Sequence, residues 1–327
     1  MVVSKTKFGE TDDKSVNLYK ITNSNQTSIS VLSYAATWQN FEVIEDGQKH
    51  PLIEHFDNLT DYIQTPYQVG KTIGRVAGRI NKAHFTINDV NYQLKPNDGQ
   101  NLLHGGNNGL QYQNFDAEID SDNSVIFSHV VDGEDGFGGK LKVKVRYSLN
   151  DDDEVAITYT ARTNHDTLFN PTCHVYFDVG EGNIRQQQLQ INAKRFLDVD
   201  DEKIPTGKLL ATTNAYDFKN FKKIGQGLKQ LKPMDKFEYD DAFVVGDKAA
   251  TIKNDQRAVD LYTDRNGLII FTANPKDSQK ASQYDYDSLA MEMQTLPDAI
   301  NQKDFGETVL NKGQRVSYTN KYKYRKL

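Results

Sequence analysis

The amino-acid sequence predicts an all-β protein, a sandwich or barrel of antiparallel strands with few and short helices. Three observations favour this fold class. Apolar and polar residues alternate along several segments, turn-forming residues separate these segments at short intervals, and long amphipathic helical repeats are missing. No internal repeat or flexible linker divides the 327 residues, so we expect a single domain over residues 1–327.

In chain order, the first predicted elements are a short helix and a hairpin. The segment Asn58 to Tyr67 is long enough for one or two helical turns. Asn88-Asp89 lies between the apolar stretches Phe85 to Ile87 and Val90 to Leu94. Asn and Asp tolerate the positive φ angles of a tight turn, which predicts a hairpin at this position.

Two further hairpins are predicted later in the chain. Apolar residues occupy every second position from Leu141 to Leu149 and again from Val155 to Ala161, and Asn150 to Asp153 supply the turn. The segment Ala258 to Ala273 has Asn266-Gly267 near its middle, a pair that favours tight hairpin turns. We therefore expect another hairpin with its tip at Asn266-Gly267.

The last predicted strand runs from Arg315 to Tyr324. Val316, Tyr318 and Tyr322 would share one face with Tyr324, and the polar Asn320 interrupts that face.

Composition excludes several classes of protein. Lys and Arg number 39 and Asp and Glu 45, a net charge of −6, so the basic surface of a nucleic-acid-binding protein is missing. No window approaches 18 consecutive apolar residues, and no membrane span or apolar leader is expected. The single Cys173 cannot form an internal disulfide or a thiolate zinc site. We expect a cytoplasmic globular protein without a nucleic-acid or membrane partner; the sequence does not indicate its oligomeric state.

Two histidines have unusual neighbours. His104 precedes Gly105-Gly106, and glycines allow a backbone to approach a ligand closely, although a loop histidine that caps a turn would look the same. His174 lies in the apolar segment Asn170 to Phe177, either as a hydrogen-bonded core residue or in the aromatic wall of a sugar site.

A carboxylate is the third candidate. Glu292 and Gln294 share one face of an apolar strand, and burial would raise the pKa of Glu292 towards the range of a general base. A buried salt bridge is the alternative. A metal site formed by His104, His174 and Glu292 is a further alternative, but their spacing carries no local metal motif.

Eight segments, in this order, resemble those of the aldose 1-epimerase (galactose mutarotase) family. They resemble the family patterns GAT, GFD-x-L-x-x-Y, GR-x-x-NRI, LHGG, N-x-T-x-H-x-YF, FDHNF, E-x-Q-x-x-PDA and the closing L-x-x-G…Y strand. The segments are Ala35 to Trp38, Phe56 to Tyr62, Gly74 to Ile80, Leu103 to Gly106, Asn170 to Phe177, Tyr239 to Phe243, Glu292 to Ala299 and Leu310 to Tyr324.

The resemblance implies an antiparallel β-supersandwich with a sugar cleft and a reaction that interconverts α and β anomers without a cofactor or metal. By position, Glu292 would remove the proton of the C1 hydroxyl and His174 would protonate the ring oxygen. Arg79, His104 and Asp240 would bind the hydroxyls of a small-molecule sugar and orient the carbonyl oxygen. Such chemistry moves only protons, which suits a carboxylate and an imidazole.

The sequence departs from the family pattern at three positions. Gly78 replaces the usual Asn before Arg79, Asp241 replaces the usual His, and His55 replaces a Gly. Glycine at position 78 would remove an amide contact and widen the pocket, so we expect a reducing disaccharide such as maltose to be accepted beside galactose or glucose. The alternative is that a neighbouring side chain, Asn81 or Asp241, fills the gap and leaves the specificity unchanged. A non-catalytic sugar-binding protein and a glycosidase that uses Glu292 with an Asp partner are the competing hypotheses.

Overall fold

The structure is a computed structural model that describes residues 1–11, 14–180, 182–276 and 285–327. The strands in chain order are β1 Val2–Thr11, β2 Lys14–Thr22, β3 Ser28–Leu32, β4 Thr37–Glu45, β5 Gln48–Pro51, β6 Thr72–Ile73, β7 Arg79–Ile80, β8 His84–Ile87, β9 Val90–Gln93, β10 Leu102–Leu103, β11 Asp116–Ser121, β12 Ser124–Val131, β13 Leu141–Leu149, β14 Glu154–Thr163, β15 Thr167–Leu168, β16 Thr172–Cys173, β17 Tyr176–Phe177, β18 Gln188–Ile191, β19 Arg195–Val199, β20 Pro205–Ala211, β21 Lys222–Lys223, β22 Asp240–Val244, β23 Lys248–Lys253, β24 Arg257–Thr263, β25 Gly267–Ala273, β26 Ser288–Gln294, β27 Val309–Leu310 and β28 Arg315–Lys326. The α-helices are α1 Leu59–Gln64 and α2 Ile224–Leu231, and short 3-10 turns cover Asn81–Ala83, Leu110–Tyr112, Asn214–Tyr216, Lys232–Met234 and Ala299–Asn301.

Three antiparallel sheets account for most of the strands. A five-stranded sheet has the order β1-β2-β3-β4-β5, and a nine-stranded sheet has the order β11-β12-β13-β14-β28-β24-β23-β18-β21. A six-stranded sheet has the order β17-β26-β25-β22-β19-β20, and the remaining short strands form two-stranded pairs. The predicted all-β antiparallel sandwich with few short helices is confirmed.

Alternation along β13 and β14 places one face of the hairpin in the core. Leu141 to Leu149 pair with Thr163 to Val155, and the alternating apolar residues of both strands are buried. The hairpin at Asn88-Asp89 is also present between β8 and β9, with both turn residues at positive φ. These two predictions are confirmed because local alternation and turn chemistry agree with the tertiary fold.

The hairpin predicted over Ala258 to Ala273 is wrong. Strand β24 belongs to the nine-stranded sheet and β25 to the six-stranded sheet, so the chain crosses between sheets instead of turning back. Asn266 accepts a hydrogen bond from the backbone N–H of Leu296, 3.2 Å away, and so joins the crossing to the end of β26. A Cβ on Gly267 would lie 2.8 Å from the carbonyl oxygen of Gln294. The glycine therefore serves close strand approach, which the Asn-Gly pattern alone does not distinguish from a turn.

The last strand carries the predicted alternation, and its polar interruption has a structural purpose. Asn320 is fully buried; it accepts a hydrogen bond from the Thr263 hydroxyl at 2.7 Å and donates one to the carbonyl oxygen of Met293 at 2.9 Å. Because β24 and β28 lie in one sheet and β26 in another, this side chain links the two layers.

The two α-helices differ in how far the sequence indicates them. In α1, the Asn58 side chain accepts a hydrogen bond from the backbone N–H of Asp61 at 3.0 Å, an N-cap within the predicted segment. Helix α2 is not indicated by the sequence, since it contains two glycines. A Cβ on Gly227 would lie 2.2 Å from the hydroxyl oxygen of Tyr239, so packing overrides the low helix propensity of glycine.

Among the described residues, no helix is long and apolar enough to cross a membrane.

Candidate active site

A cavity of about 440 Å³ lies over the face of the six-stranded sheet. The residues Ile269 and Phe271 of β25 and Glu292 and Gln294 of β26 face it, because alternate residues of a strand share a face. All five predicted site residues line this cavity: Arg79, His104, His174, Asp240 and Glu292. The fold thus brings together side chains from five separate segments of the chain.

His174 and Glu292 form a buried polar pair in the cavity. Nε2 of His174 lies 3.5 Å from Oε1 of Glu292, and the two side chains are only 7% and 5% exposed. Nδ1 of His174 and Oε2 of Glu292 are buried without a hydrogen-bond partner, as is Oε1 of Gln294. Buried polar atoms without partners are rare in proteins and here surround a cavity, which is typical of a site that binds a polar ligand.

Hydrogen bonds between two segments hold this pair together. The hydroxyl of Thr172 donates to the carbonyl oxygen of Met293 at 3.0 Å, and the side chain of Asn170 both donates to and accepts from the backbone of Thr295 at 3.0 Å. The backbone N–H of Met291 donates to the carbonyl oxygen of Val175 at 3.0 Å. The segment before β17 is therefore fixed in register with β26, which places the imidazole beside the carboxylate.

A buried arginine supports this junction from behind. Nε of Arg265 donates to the Thr295 hydroxyl at 3.1 Å, and the guanidinium also donates to Oδ1 of Asn170. Its carbon Cζ lies 3.9 Å from the centre of the Tyr318 ring, a cation–π contact that helps to stabilise the buried charge. Sequence reasoning did not single out Arg265, because nothing in its local neighbourhood indicates burial.

Burial moves the pKa values of the pair in opposite directions. It raises the pKa of Glu292 to about 8, with a further contribution from the carboxylate of Asp240. It lowers the pKa of His174 to about 4, and the positive charge of Lys71 adds to that fall. The raised carboxylate pKa agrees with the expectation from sequence. The imidazole moves away from neutrality because an apolar enclosure disfavours its charged form.

His104 is oriented by Gly78. His104 directly follows β10 and Gly78 directly precedes β7, the strand that pairs with β10. The backbone N–H of Gly78 donates to Nδ1 of His104 at 3.2 Å, and the N–H of His104 donates to the carbonyl oxygen of Gly78 at 3.0 Å. With Nδ1 as acceptor, Nε2 carries the proton of the neutral ring. Burial, with His174 and Arg79 nearby, lowers the pKa of His104 and keeps the ring neutral.

The glycine after His104 is required by the approach of another chain segment. Gly105 has a φ of +75°, and a Cβ there would lie 2.3 Å from the carbonyl oxygen of Gly74. Only glycine fits both conditions. Gly105 therefore serves backbone packing, which in turn brings His104 into the cavity.

Arg79 and Asp240 are less buried and carry other partners. Nε of Arg79 donates to Asp98 at 2.7 Å, and Nζ of Lys203 lies 3.5 Å from Asp240. Arg75, four residues before Arg79, is instead fully buried, where it binds the Asp135 carboxylate through two nitrogens. The two arginines of the Gly74 to Ile80 segment thus have separate positions, one in the core and one in the cavity.

Two of the departures from the family pattern also line the cavity. Gly78 has a φ of +75°, and a Cβ there would lie 3.2 Å from Nε2 of Gln294 and 3.2 Å from Pro297. Asp241 is buried, with Lys236 3.8 Å away, and burial raises the pKa of its carboxyl group.

The metal hypothesis finds no support in the geometry. Within the part of the chain that the structure describes, no three His, Cys, Asp or Glu side chains lie close enough together to hold a metal ion. His104 and His174 meet edge to face, with ring centres 5.5 Å apart.

Comparisons with known proteins give a consistent result. The family model described as aldose 1-epimerase matches residues 17–323. The maltose epimerase of Levilactobacillus brevis is 39% identical over 99% of each chain, and the aldose 1-epimerase of Streptococcus thermophilus is 34% identical over 99% of each chain. The crystal structure of galactose 1-epimerase from Lactobacillus acidophilus is 25% identical, with a TM-score of 0.87 over 99% of this chain and 98% of that one. An aldose epimerase homologue from C. elegans has the same fold, with a TM-score of 0.87 and 24% identity over 95% of this chain and 99% of that one.

Proposed function

The chain belongs to the aldose 1-epimerase family and interconverts the α and β anomers of sugars, and we propose that Glu292 and His174 exchange the protons of this reaction. One observation carries the assignment. A carboxylate and an imidazole, both buried, lie 3.5 Å apart in a sugar-sized cavity, each with an atom that has no hydrogen-bond partner. Proton transfer by positioned side chains typically contributes about 10²–10⁴-fold to a rate.

The reaction begins with removal of a proton from the C1 hydroxyl by Glu292. His174 gives a proton to the ring oxygen, the bond between C1 and that oxygen breaks, and C1 becomes an aldehyde carbon. Rotation about the C1–C2 bond then presents the other face of the aldehyde. The hydroxyl that ring opening produced from the ring oxygen adds to this face and returns its proton to His174. Glu292 then returns the first proton to the aldehyde oxygen, which becomes the new C1 hydroxyl. Protons and electrons balance over the cycle, which requires no electron carrier.

The reaction requires one proton on the pair, because one group must accept while the other donates. Between a pH of about 4 and about 8 the free protein holds this proton. Burial favours its position on Glu292, and transfer across 3.5 Å to His174 produces the carboxylate and imidazolium that begin the cycle. The ion pair formed in this way is stabilised by mutual attraction in the dry cavity.

The three other predicted residues bind the hydroxyl groups of the sugar. Nε2 of His104 is a donor, the guanidinium of Arg79 only donates, and the carboxylate oxygens of Asp240 accept. Together they offer a hydroxyl-bearing ring both kinds of hydrogen-bond partner. The neutral His104 is suited to donate to the oxygen that becomes the carbonyl, since it adds no charge beside His174.

A reducing aldose is the substrate class, with galactose, glucose and a reducing disaccharide as candidates. The similarity to a protein named maltose epimerase, at 39% identity, supports a disaccharide. Gly78 supports it as well, because this residue lines the cavity and has no side chain that would narrow it.

The test follows the optical rotation of freshly dissolved α-glucose, α-galactose and β-maltose with and without the protein. An aldose 1-epimerase accelerates the drift to the equilibrium value for at least one of these sugars. A protein that binds sugar without catalysis leaves the drift unchanged, and that result would contradict the proposed function. Cleavage of a glycoside in the same assay would identify a hydrolase.

A further inference from the structure

The cavity extends from the catalytic pair to the protein surface along a row of aromatic rings. The ring of His174 stacks on that of Tyr176 with centres 5.1 Å apart, Tyr176 meets Phe271 at 6.4 Å, and Phe271 stacks on Tyr67 at 6.3 Å. Tyr176 is buried, whereas Phe271 and Tyr67 are half-buried. We call these four rings the aromatic row; its outer end is Tyr67.

The outer end of the row has a polar group fixed beside it. Gln68 lines the cavity, and its Oε1 accepts a hydrogen bond from Nζ of Lys71 at 3.0 Å. Its Nε2 lies 3.4 Å from the hydroxyl of Tyr112, which also lines the cavity and is 42% exposed. Gln68 has a φ of +52°, an uncommon conformation for this residue type, so the surrounding contacts hold it in place.

Lys71 is the anchor of this arrangement. Its side chain is fully buried, and Nζ lies 5.5 Å from the centre of the Tyr34 ring and 5.7 Å from that of Tyr112. A buried ammonium between two aromatic faces, with a hydrogen bond to Gln68, is costly to form and specifies the positions of its neighbours. Its charge also reaches His174, which makes Lys71 itself unsuitable as a selective test.

We infer that Tyr67, Gln68 and Tyr112 form a subsite for the second ring of a reducing disaccharide whose first ring reacts between His174 and Glu292. Aromatic faces pack against the apolar C–H face of a pyranose, and a fixed amide and a phenol hydroxyl supply hydrogen bonds to its hydroxyls. Tyr176, which stacks on His174, is buried, whereas Tyr67 and Gln68 are half-buried and Tyr112 is exposed, as expected for a second ring that extends from the buried first ring towards solvent.

This assignment rests on the anomer interconversion proposed above and adds a substrate preference to it. A monosaccharide occupies the buried end and does not reach Tyr67. Loss of the Tyr67 ring should therefore lower kcat/KM for maltose by about three- to tenfold, the equivalent of one aromatic contact, and change kcat/KM for glucose by less than about twofold.

The experiment measures kcat/KM by polarimetry for fresh α-glucose and fresh β-maltose. The variants are Tyr67→Ala, which removes the ring, and Gln68→Asn, which keeps a residue tolerant of positive φ but shortens the amide arm. Tyr67→Phe keeps the aromatic face and should retain most of the maltose activity. Phe221→Ala, an exposed aromatic residue that is not part of this cavity, is the matched control and should change neither sugar.

A second measurement separates binding from catalysis. Methyl maltoside and methyl glucoside cannot open their rings, so each acts only as an inhibitor. Methyl maltoside should inhibit the wild type more strongly than methyl glucoside, and Tyr67→Ala should remove most of that difference.

Three outcomes overturn the subsite. These are equal loss of glucose and maltose activity in Tyr67→Ala, no loss for either sugar, and a wild type that accelerates glucose but not maltose. Each leaves the anomer interconversion intact. A wild type that accelerates no sugar contradicts the proposed function instead, so the two failures are distinguishable.

Discussion

At the scale of single residues, the free protein holds one proton between two buried groups. Charging both of them would cost desolvation free energy, because both side chains are buried. A carboxylate with a pKa of about 8 and an imidazole with a pKa of about 4 share the enclosure. Desolvation keeps both neutral until a polar ligand fills the cavity and satisfies their unpartnered atoms. The same burial that destabilises the empty site therefore favours sugar binding.

The first prediction concerns Glu292→Gln. The amide keeps the shape of the side chain but cannot take the C1 proton, so kcat should fall by at least about 10²-fold, while KM changes little. Progress curves from polarimetry measure both constants. Retention of more than half of the wild-type kcat would show that Glu292 is not the base.

The second prediction is the pH dependence of kcat/KM. Below about pH 4 the pair gains a second proton and loses its base, and above about pH 8 it loses its only proton and has no acid, so the profile should be a broad bell. In His174→Asn only Glu292 titrates, so the alkaline limb should disappear and the residual rate should rise to a plateau. An alkaline limb that persists in this variant would assign the acid to another group.

The third prediction concerns Gly78→Asn and substrate choice. Asn tolerates positive φ, and its side chain would enter the crowded space beside Gln294 and Pro297, within the cavity. The ratio of kcat/KM for maltose to that for galactose should fall, since the added amide narrows the cavity and restores a hydrogen bond to a monosaccharide. One such neutral hydrogen bond contributes about 0.5–1.5 kcal/mol.

The control for this variant is Gly47→Asn. Gly47 also has a positive φ of +79°, but a Cβ there meets nothing within 4 Å, so it isolates the effect of the backbone. Gly47→Asn should leave the ratio unchanged. An unchanged or higher ratio in Gly78→Asn would defeat the hypothesis of a widened pocket.

The positions of the predicted site residues could be anticipated, because each lies in a short motif whose order along the chain is informative. Arg79, His104 and Glu292 all line one cavity, although their chemical roles remain predictions. Gln68 and Lys71 escaped notice for a physical reason. A buried lysine looks like any surface lysine in a sequence, and only the tertiary fold places two aromatic rings around it.

At the scale of elements, the site depends on the register between β26 and the segment that contains β16. Side-chain hydrogen bonds to backbone groups set this register, because the segment between β16 and β17 is too irregular for a continuous ladder. Thr172 is one of these contacts, with a 3.0 Å hydrogen bond to the carbonyl oxygen of Met293.

The fourth prediction concerns Thr172→Val, which removes this hydrogen bond and keeps the shape of the side chain. The Met293 oxygen still accepts a hydrogen bond from Asn320 at 2.9 Å, so it is not left without a partner. The free energy of unfolding should fall by about 0.5–1.5 kcal/mol, as urea denaturation would measure. We expect kcat to fall as well, because the catalytic pair is sensitive to small displacements.

The matched control is Thr158→Val on β14. Thr158 makes a hydrogen bond of 3.1 Å to Thr319 on the neighbouring strand, outside the cavity. This variant should leave kcat unchanged. If Thr172→Val has wild-type kcat despite lower stability, the hydrogen bond contributes to folding alone.

Strands were predictable where local pattern and tertiary pairing agree, as in β13 and β14. They were not predictable where a strand pairs with another strand that is distant in the sequence. Strand β14 pairs with β28, more than 150 residues later, and β24 turns away from β25 into another sheet. The alternation of apolar and polar residues along a strand indicates which face is buried. It does not indicate which other strand will form hydrogen bonds with its edges.

At the scale of the whole molecule, the three large sheets share one apolar core. Trp38 of β4, in the five-stranded sheet, packs against Tyr322 of the nine-stranded sheet with ring centres 4.9 Å apart. It meets Phe177 of the six-stranded sheet at 6.4 Å. The buried pair of Glu45 and Arg257, 2.8 Å apart, joins the first two sheets again. That residues 1–327 form a single domain stays a prediction, and these contacts support it.

The fifth prediction follows from this shared core. Trp38 is the single tryptophan of the chain, fully buried where the three sheets meet, so its fluorescence reports the separation of any one sheet from the others. If the chain is one domain, urea should change Trp38 fluorescence and the far-ultraviolet circular dichroism of all strands in a single coincident transition. A sheet that unfolded independently would shift one signal before the other, because circular dichroism sums over every strand while Trp38 senses only the junction. Two separate midpoints would therefore contradict the single domain. Phe177→Leu should lower both midpoints together, since loss of the ring weakens the junction on which all three sheets depend.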